Sequence, residues 1–190
     1  MNYKKAFAAL VLLLAPAIAM AHPGHGDNGL VAGIGHPIGG LDHLLAMLAV
    51  GLWAAQQSGA ARWALPVSFV GTMLIGGVLG FAGLELPALE SGIAASVLAL
   101  GLGVALAVRP PLVLAVAATA AFALFHGVAH GLELPEMSSP GAYAAGFVIA
   151  TAALHAVGYA VVRLLPQAAA PLVRLAGAVS AAAGVWLLAA

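Results

Sequence analysis

Apolar residues run along this chain in stretches of roughly 20, the length a helix needs to cross the hydrocarbon of a bilayer. Six such stretches fall at about 36–56, 64–84, 90–108, 111–131, 141–163 and 169–189. The breaks between them carry turn chemistry: Gln56-Gln57-Ser58-Gly59, Leu86-Pro87, Arg109-Pro110-Pro111, Ser138-Ser139-Pro140-Gly141 and Pro166-Gln167. The pattern predicts an all-α integral membrane protein whose residues 36–190 form a six-helix transmembrane bundle. Composition supports it: 64% of residues are hydrophobic and 6% charged. Soluble domains carry about 25% charged residues, so this chain cannot clothe a water-facing surface.

The N-terminus has a different pattern. Lys4 and Lys5 precede a short apolar run from Ala6 to Ala15, and Ala19-Met20-Ala21 has the form of a signal-peptide cleavage site. Residues 1–21 are thus expected to be a cleavable signal peptide and 22–35 a periplasmic, histidine-containing tail. Cleavage after Ala21 exposes an α-amine beside His22, with His25 and Asp27 close by, a set that can chelate a cation. Pro23 removes a backbone N–H and with it a square-planar site of consecutive deprotonated amides. A polar tail with no ligand is the alternative.

Charge sets the orientation. With the mature N-terminus outside, Arg62, Arg109, Arg163 and Arg174 all fall at cytoplasmic ends of spans, as Lys and Arg do in membrane proteins. Glu85, Glu90, Glu133 and Glu136 fall on the other side. Both mature termini are therefore expected in the periplasm, with the protein in the inner membrane of a Gram-negative-type cell. A formal net charge of zero argues against a nucleic-acid partner, which would need a basic face. The chain contains no cysteine, so a bound metal must be held by histidine, carboxylate, methionine, backbone or water.

Glycine is frequent within the spans, at Gly71, Gly76, Gly77, Gly80 and Gly83 and again at Gly101 and Gly103, which lets membrane helices approach closely. The sequence leaves a homo-oligomer open. The pentapeptides Gly83-Leu84-Glu85-Leu86-Pro87 and Gly131-Leu132-Glu133-Leu134-Pro135 each close an outward-running span, as duplicated hairpins would. Only the second copy carries imidazoles: His126 and His130 align with Val78 and Ala82.

The chemistry lies in ionisable residues where lipid-facing helix is expected. An Asp at mid-bilayer costs roughly 2.5–3.5 kcal/mol on insertion scales, so such groups need partners or a function. His36-Pro37-Ile38-Gly39-Gly40-Leu41-Asp42-His43 opens the first span. Pro37 suits a first helical turn, which would put His36 at the cap. On one continuous helix His36 and His43 would stand about 10 Å apart in rise. They can share an ion only if Gly39-Gly40 bends or unwinds the segment, which is tolerated where backbone lines a cavity. Otherwise His36 is an outermost ligand, with Asp42 and His43 deeper, or Asp42 orients a ligating imidazole. Met47 is a soft ligand or apolar packing. In the fourth span His126 and His130 are four apart and share a helical face, with Glu133 continuing the stripe. They can hold one ion, or hydrogen-bond between helices for about 0.6 kcal/mol per contact. His155 lies about 14 residues down the fifth span, roughly 21 Å at helical rise, and is either a structural group or an inner ligand.

His36-Pro37-x-x-Gly40-x-Asp42-His43, the following Ala46-Met47-x-Ala49-Val50-Gly51-Leu52-Trp53-Ala54 run, and Phe125-His126-Gly127-x-Ala129-His130-Gly131-x-Glu133 resemble the HupE/UreJ family of bacterial membrane proteins. The signal peptide and six-span layout are similar too. The resemblance implies uptake of nickel, or cobalt, for hydrogenase or urease maturation, with His36, Asp42, His43, His126, His130 and Glu133 as motif residues.

The expected function is a permease or diffusion facilitator carrying Ni2+ or Co2+ from periplasm to cytoplasm, with no permanent cofactor. Its partners are the cation and the lipid bilayer; no phosphate-binding loop for a nucleotide is present. Glutamates at the outer mouth and the His22/His25 tail would concentrate cations. Weak successive sites would pass them on, since a tight site does not release. A membrane-embedded metal-dependent hydrolase with a His/Asp site, and a non-transporting metal sensor or assembly partner, are the alternatives.

Overall fold

The computed structural model describes residues 29–135 and 139–190, and every regular element among them is helical. In order they are α1 (Gly29–Gly39), α2 (Leu41–Gln56), α3 (Ala61–Phe81), α4 (Leu89–Ala105), α5 (Leu112–Leu132), α6 (Pro140–Leu164), a short 3-10 turn (Gln167–Ala169) and α7 (Ala170–Ala189). The expected signal peptide at 1–21, His22, His25 and Glu136 lie outside the described residues.

Among the described residues, four stretches are long and apolar enough to cross a membrane: α3, α5, α6 and Gln167–Ala189. A fifth span results if α1 and α2, bent by 81° at their junction, count as one. The 17-residue α4 is shorter than the others, where the sequence predicted a full span over 90–108. Large apolar side chains face outward all round, Trp63, Val67, Val78, Val113, Leu164 and Trp186 among them. Such a surface suits lipid rather than water.

The first span differs from expectation at its start. Helix begins at Gly29, inside the segment 22–35 expected to be a tail, and His36 lies in the last turn of α1 rather than at a cap. Pro37 sits inside the same helix. The break falls one residue after Gly39: Gly40 is extended (φ −84°, ψ 119°), its N–H bonding His36 O at 3.1 Å and its carbonyl accepting from Leu44 N at 2.9 Å. Glycine pays the largest entropic penalty in a helix, so the Gly39-Gly40 pair is where continuity is cheapest to lose. Asp42 then stands in the first turn of α2, where the helix dipole favours a carboxylate.

Helices meet through glycines on both partners, which lets backbones touch. α3 and α5 run parallel, Gly76 against Leu124 and Gly127, Gly80 against Val128, and Gly131 against Gly77. α4 packs on α7 through Gly101, Gly177 and Gly184, and α6 packs on α1 and α2 through Gly33, Gly146, Gly51 and Gly158. The pentapeptide repeat therefore closes two neighbouring helices. Gly83 takes a left-handed φ of 90° to end α3, while α5 continues through Gly131 to Leu132.

The two ends of the bundle differ in charge. At one, Arg62 Nε donates to Gln57 O, Arg174 Nε donates to Ala105 O at 2.7 Å, and Trp53 and Gln57 both donate to Val108 O. Glu90 and Glu133 stand at the other.

Candidate metal centre

The bend at Gly40 turns His36 and His43 toward each other, their ring centroids 5.4 Å apart. One face of α5 supplies the other half. The His130 ring lies 4.8 Å from both His36 and His43, and His126 lies 4.6 Å from His43. One ring nitrogen from each of His36, His43 and His130 can be chosen so that all lie within 4.8 Å of one another. His126 and His130 are fully buried, as is nearly all of His43.

Hydrogen bonding assigns the free lone pairs. His43 Nδ1 lies 2.9 Å from Asp42 Oδ1, which also accepts from the His43 backbone N–H at 2.7 Å. A carboxylate only accepts, so Nδ1 carries the proton and Nε2 keeps its lone pair. His43 Nε2 has no partner among the described residues. Ser96 does the same for His126. Its hydroxyl donates to Ile93 O at 2.6 Å, so its oxygen accepts from His126 Nε2 at 2.8 Å, leaving Nδ1 bare. Both nitrogens of His130 lack a partner among the described residues, and its ring stacks on Phe147 at 4.7 Å. Neutral imidazoles with lone pairs exposed and the other nitrogen anchored are what a metal site requires. Without an ion, these buried acceptors cost free energy.

Glu133, the C-cap of α5, accepts a hydrogen bond from His36 Nε2 at 2.8 Å and is half exposed. The His36 hydrogen bond holds its carboxyl below the ordinary carboxylate range, against a smaller opposing effect of burial, so it is anionic at neutral pH. Together with Glu90, Asp42, His36 and His43 it lines a cavity of about 360 Å3 at this end of the bundle. Histidine nitrogens and the nearby carboxylates could hold a borderline divalent ion such as Ni2+, Co2+ or Zn2+.

Five of the six residues expected to form the site, His36, Asp42, His43, His130 and Glu133, gather round the cavity or touch the group facing it; His126 lies one turn deeper against His43. Of the mouth glutamates, Glu90 and Glu133 line the cavity, whereas Glu85 is exposed and outside the lining. Met47 and His155 lie deeper, beyond the cluster. Sequence reasoning missed Ser96, Phe147 and Tyr143. A serine in the middle of an apolar span, three residues after Ile93, was the available signal for the first. The OH of Tyr143, whose ring centroid is 6.3 Å from that of His36, has no partner among the described residues.

Because Asp42 fixes the His43 tautomer, Asp42→Ala is expected to weaken Ni2+ binding roughly 10–100-fold, the usual effect of losing such a partner. Asp42→Asn, whose amide oxygen can still accept, should lose less. Calorimetric titration of the purified protein measures both, and equal affinity in Asp42→Ala and the unaltered chain would contradict the tautomer assignment.

A helical, multi-pass membrane protein with an imidazole cluster under an acidic mouth at one end is the class these features define. The chain belongs to the HupE/UreJ family: the model for the HupE / UreJ protein family matches residues 10–187. Protein HupE of Rhizobium leguminosarum bv. viciae is 46% identical over 189 residues, covering 99% of this chain and 99% of its own. No solved structure matches. The family is associated with nickel and cobalt transport for hydrogenase and urease.

Proposed function

We propose that this protein is a permease for Ni2+, with Co2+ as a second substrate, carrying the ion from periplasm to cytoplasm across the bacterial inner membrane for metalloenzyme maturation. In this reading the signal peptide is removed, α4 completes a six-span bundle, and both mature termini face the periplasm, in keeping with the cytoplasmic Arg bias. The observation that carries the proposal is the convergence of His36, His43 and His130 nitrogens at a cavity lined by Glu90 and Glu133. The carboxylates raise the local cation concentration, and the imidazoles replace part of the hydration shell. Transit then depends on no station binding too tightly.

Purified protein in liposomes enclosing a metal-sensitive dye tests this. Influx of Ni2+ is expected in proportion to the protein inserted, without added nucleotide. A hydrolase or sensor would bind metal and give no influx, and that outcome would overturn the proposal. Protons compete for imidazole lone pairs, so influx should also fall when the external medium is acidified. A rate that stays unchanged at every acidity the folded protein tolerates would argue against histidine ligation.

A further inference from the structure

Beyond the imidazole cluster the core contains a second concentration of metal-binding atoms. Thr151 Oγ1 lies 3.2 Å from Met47 Sδ and 3.6 Å from Met73 Sδ, so residues of α6, α2 and α3 bring two thioethers to one hydroxyl. Met47, Met73 and Thr151 are each fully buried. One turn further along the same face of α6 is His155, its Cβ about 6 Å from that of Thr151 by helix geometry. His155 is 3% exposed, and neither ring nitrogen has a partner among the described residues.

Apolar packing explains two methionines in a core, since the flexible thioether fills gaps. It does not explain a buried imidazole with both nitrogens unpaired, because each such group loses its hydration with nothing in return. The backbones meet here: a Cβ at Gly51 would lie 2.2 Å from His155 O, so α2 is pressed against α6 at this level.

The group is aligned with the outer cluster. Met47 is one turn beyond His43 on α2, and Thr151 one turn beyond Phe147, which stacks on His130. The Phe69 ring, one turn from Met73 on α3, stands between the two levels, 5.6 Å from His126 and 5.2 Å from His155.

We propose that Met47, Met73, Thr151 and His155 form a second, inner metal station, a site of mixed sulfur and nitrogen ligands that takes the ion from the outer imidazoles. The inference rests on the transport reading above and adds a ligand class to it. Imidazole suits borderline ions such as Ni2+ and Co2+, and thioethers are softer and bind them weakly. An inner station weaker than the outer one favours onward release over storage, as successive sites on a conduction path require. The Thr151 hydroxyl, donating to a sulfur lone pair at rest, would turn its own oxygen to the ion.

The full-length protein, purified and loaded with excess Ni2+, is the sample for the test. X-ray absorption at the nickel edge should show sulfur among the ligands, and the signal should vanish in the double variant Met47→Leu/Met73→Leu, a near volume-conserving change. In liposomes that variant and His155→Leu should lower Ni2+ influx at least tenfold while Ni2+ affinity at the outer cluster stays within twofold. Influx at the unaltered rate in both variants, or no sulfur signal in the parent protein, overturns the inner station. If the parent protein carries no Ni2+ at all while the sulfur signal is present, the transport reading fails and the inner site stands as a binding site only.

Discussion

Cells producing the His130→Ala variant are expected to accumulate no more nickel than cells lacking the protein, with the variant inserted in the membrane at normal levels. His130 is the residue on which the two halves of the site converge. Its ring lies 4.8 Å from both His36 and His43, whereas His36 and His43 themselves are 5.4 Å apart. Among the described residues neither of its nitrogens has a hydrogen-bond partner, and its ring stacks on Phe147. Removing it therefore subtracts a ligand while leaving the His36–Glu133 pair and the His43–Asp42 pair intact. Loss of one of three converging nitrogens should cost at least the 10–100-fold in affinity that loss of an orienting partner costs. His126→Ala, by contrast, leaves the group of His36, His43 and His130 whole and should retain measurable uptake. Radiometal accumulation, normalised to protein in the membrane fraction, separates these outcomes. Undiminished uptake by His130→Ala would remove the imidazole cluster from the mechanism.

Much of this site could be read from the chain alone because its parts are local. His126 and His130 are four apart on an uninterrupted helix, so their common face follows from helical periodicity. The His36–His43 relation was different. Spacing gave two outcomes, separated ligands on a continuous helix or a shared site across a break, and only the observed 81° bend decides for the break. Pro37 pointed the wrong way, since proline favours a first turn and here sits near the end of a helix that begins at Gly29. Ser96, Phe147 and Tyr143 come from other helices, and nothing in their own neighbourhoods reveals which histidine they meet. Their roles arise only when helices are placed side by side.

That placement depends on glycines, and the sequence marked them as packing residues without saying which pairs touch. The contacts show that the α3–α5 interface also positions the metal centre. Gly127 follows His126 directly and Gly131 follows His130, so the backbone that carries the two imidazoles is the backbone that presses on α3. Fixing α5 against α3 fixes the reach of both side chains toward α2.

Gly127→Ala is therefore expected to damage stability and transport together. A Cβ there would lie 2.1 Å from Met73 O and 2.9 Å from Gly76 Cα, both backbone atoms that cannot rotate away. The helices must separate by an ångström or more, and overpacking of this kind costs about 1–3 kcal/mol even where side chains can yield. Separation also carries His126 and His130 away from His43, while the nitrogens of His36, His43 and His130 need to stay within a few ångströms to share an ion. Gly71→Ala on α3 is the matched control, because a Cβ there meets nothing within 4 Å. In detergent, Gly127→Ala should melt well below the unaltered protein and Gly71→Ala should not. In liposomes, the Gly127→Ala fraction that remains folded should bind Ni2+ at least tenfold more weakly. Were Gly127→Ala as stable and as active as Gly71→Ala, the close α3–α5 contact could not be what holds the site together.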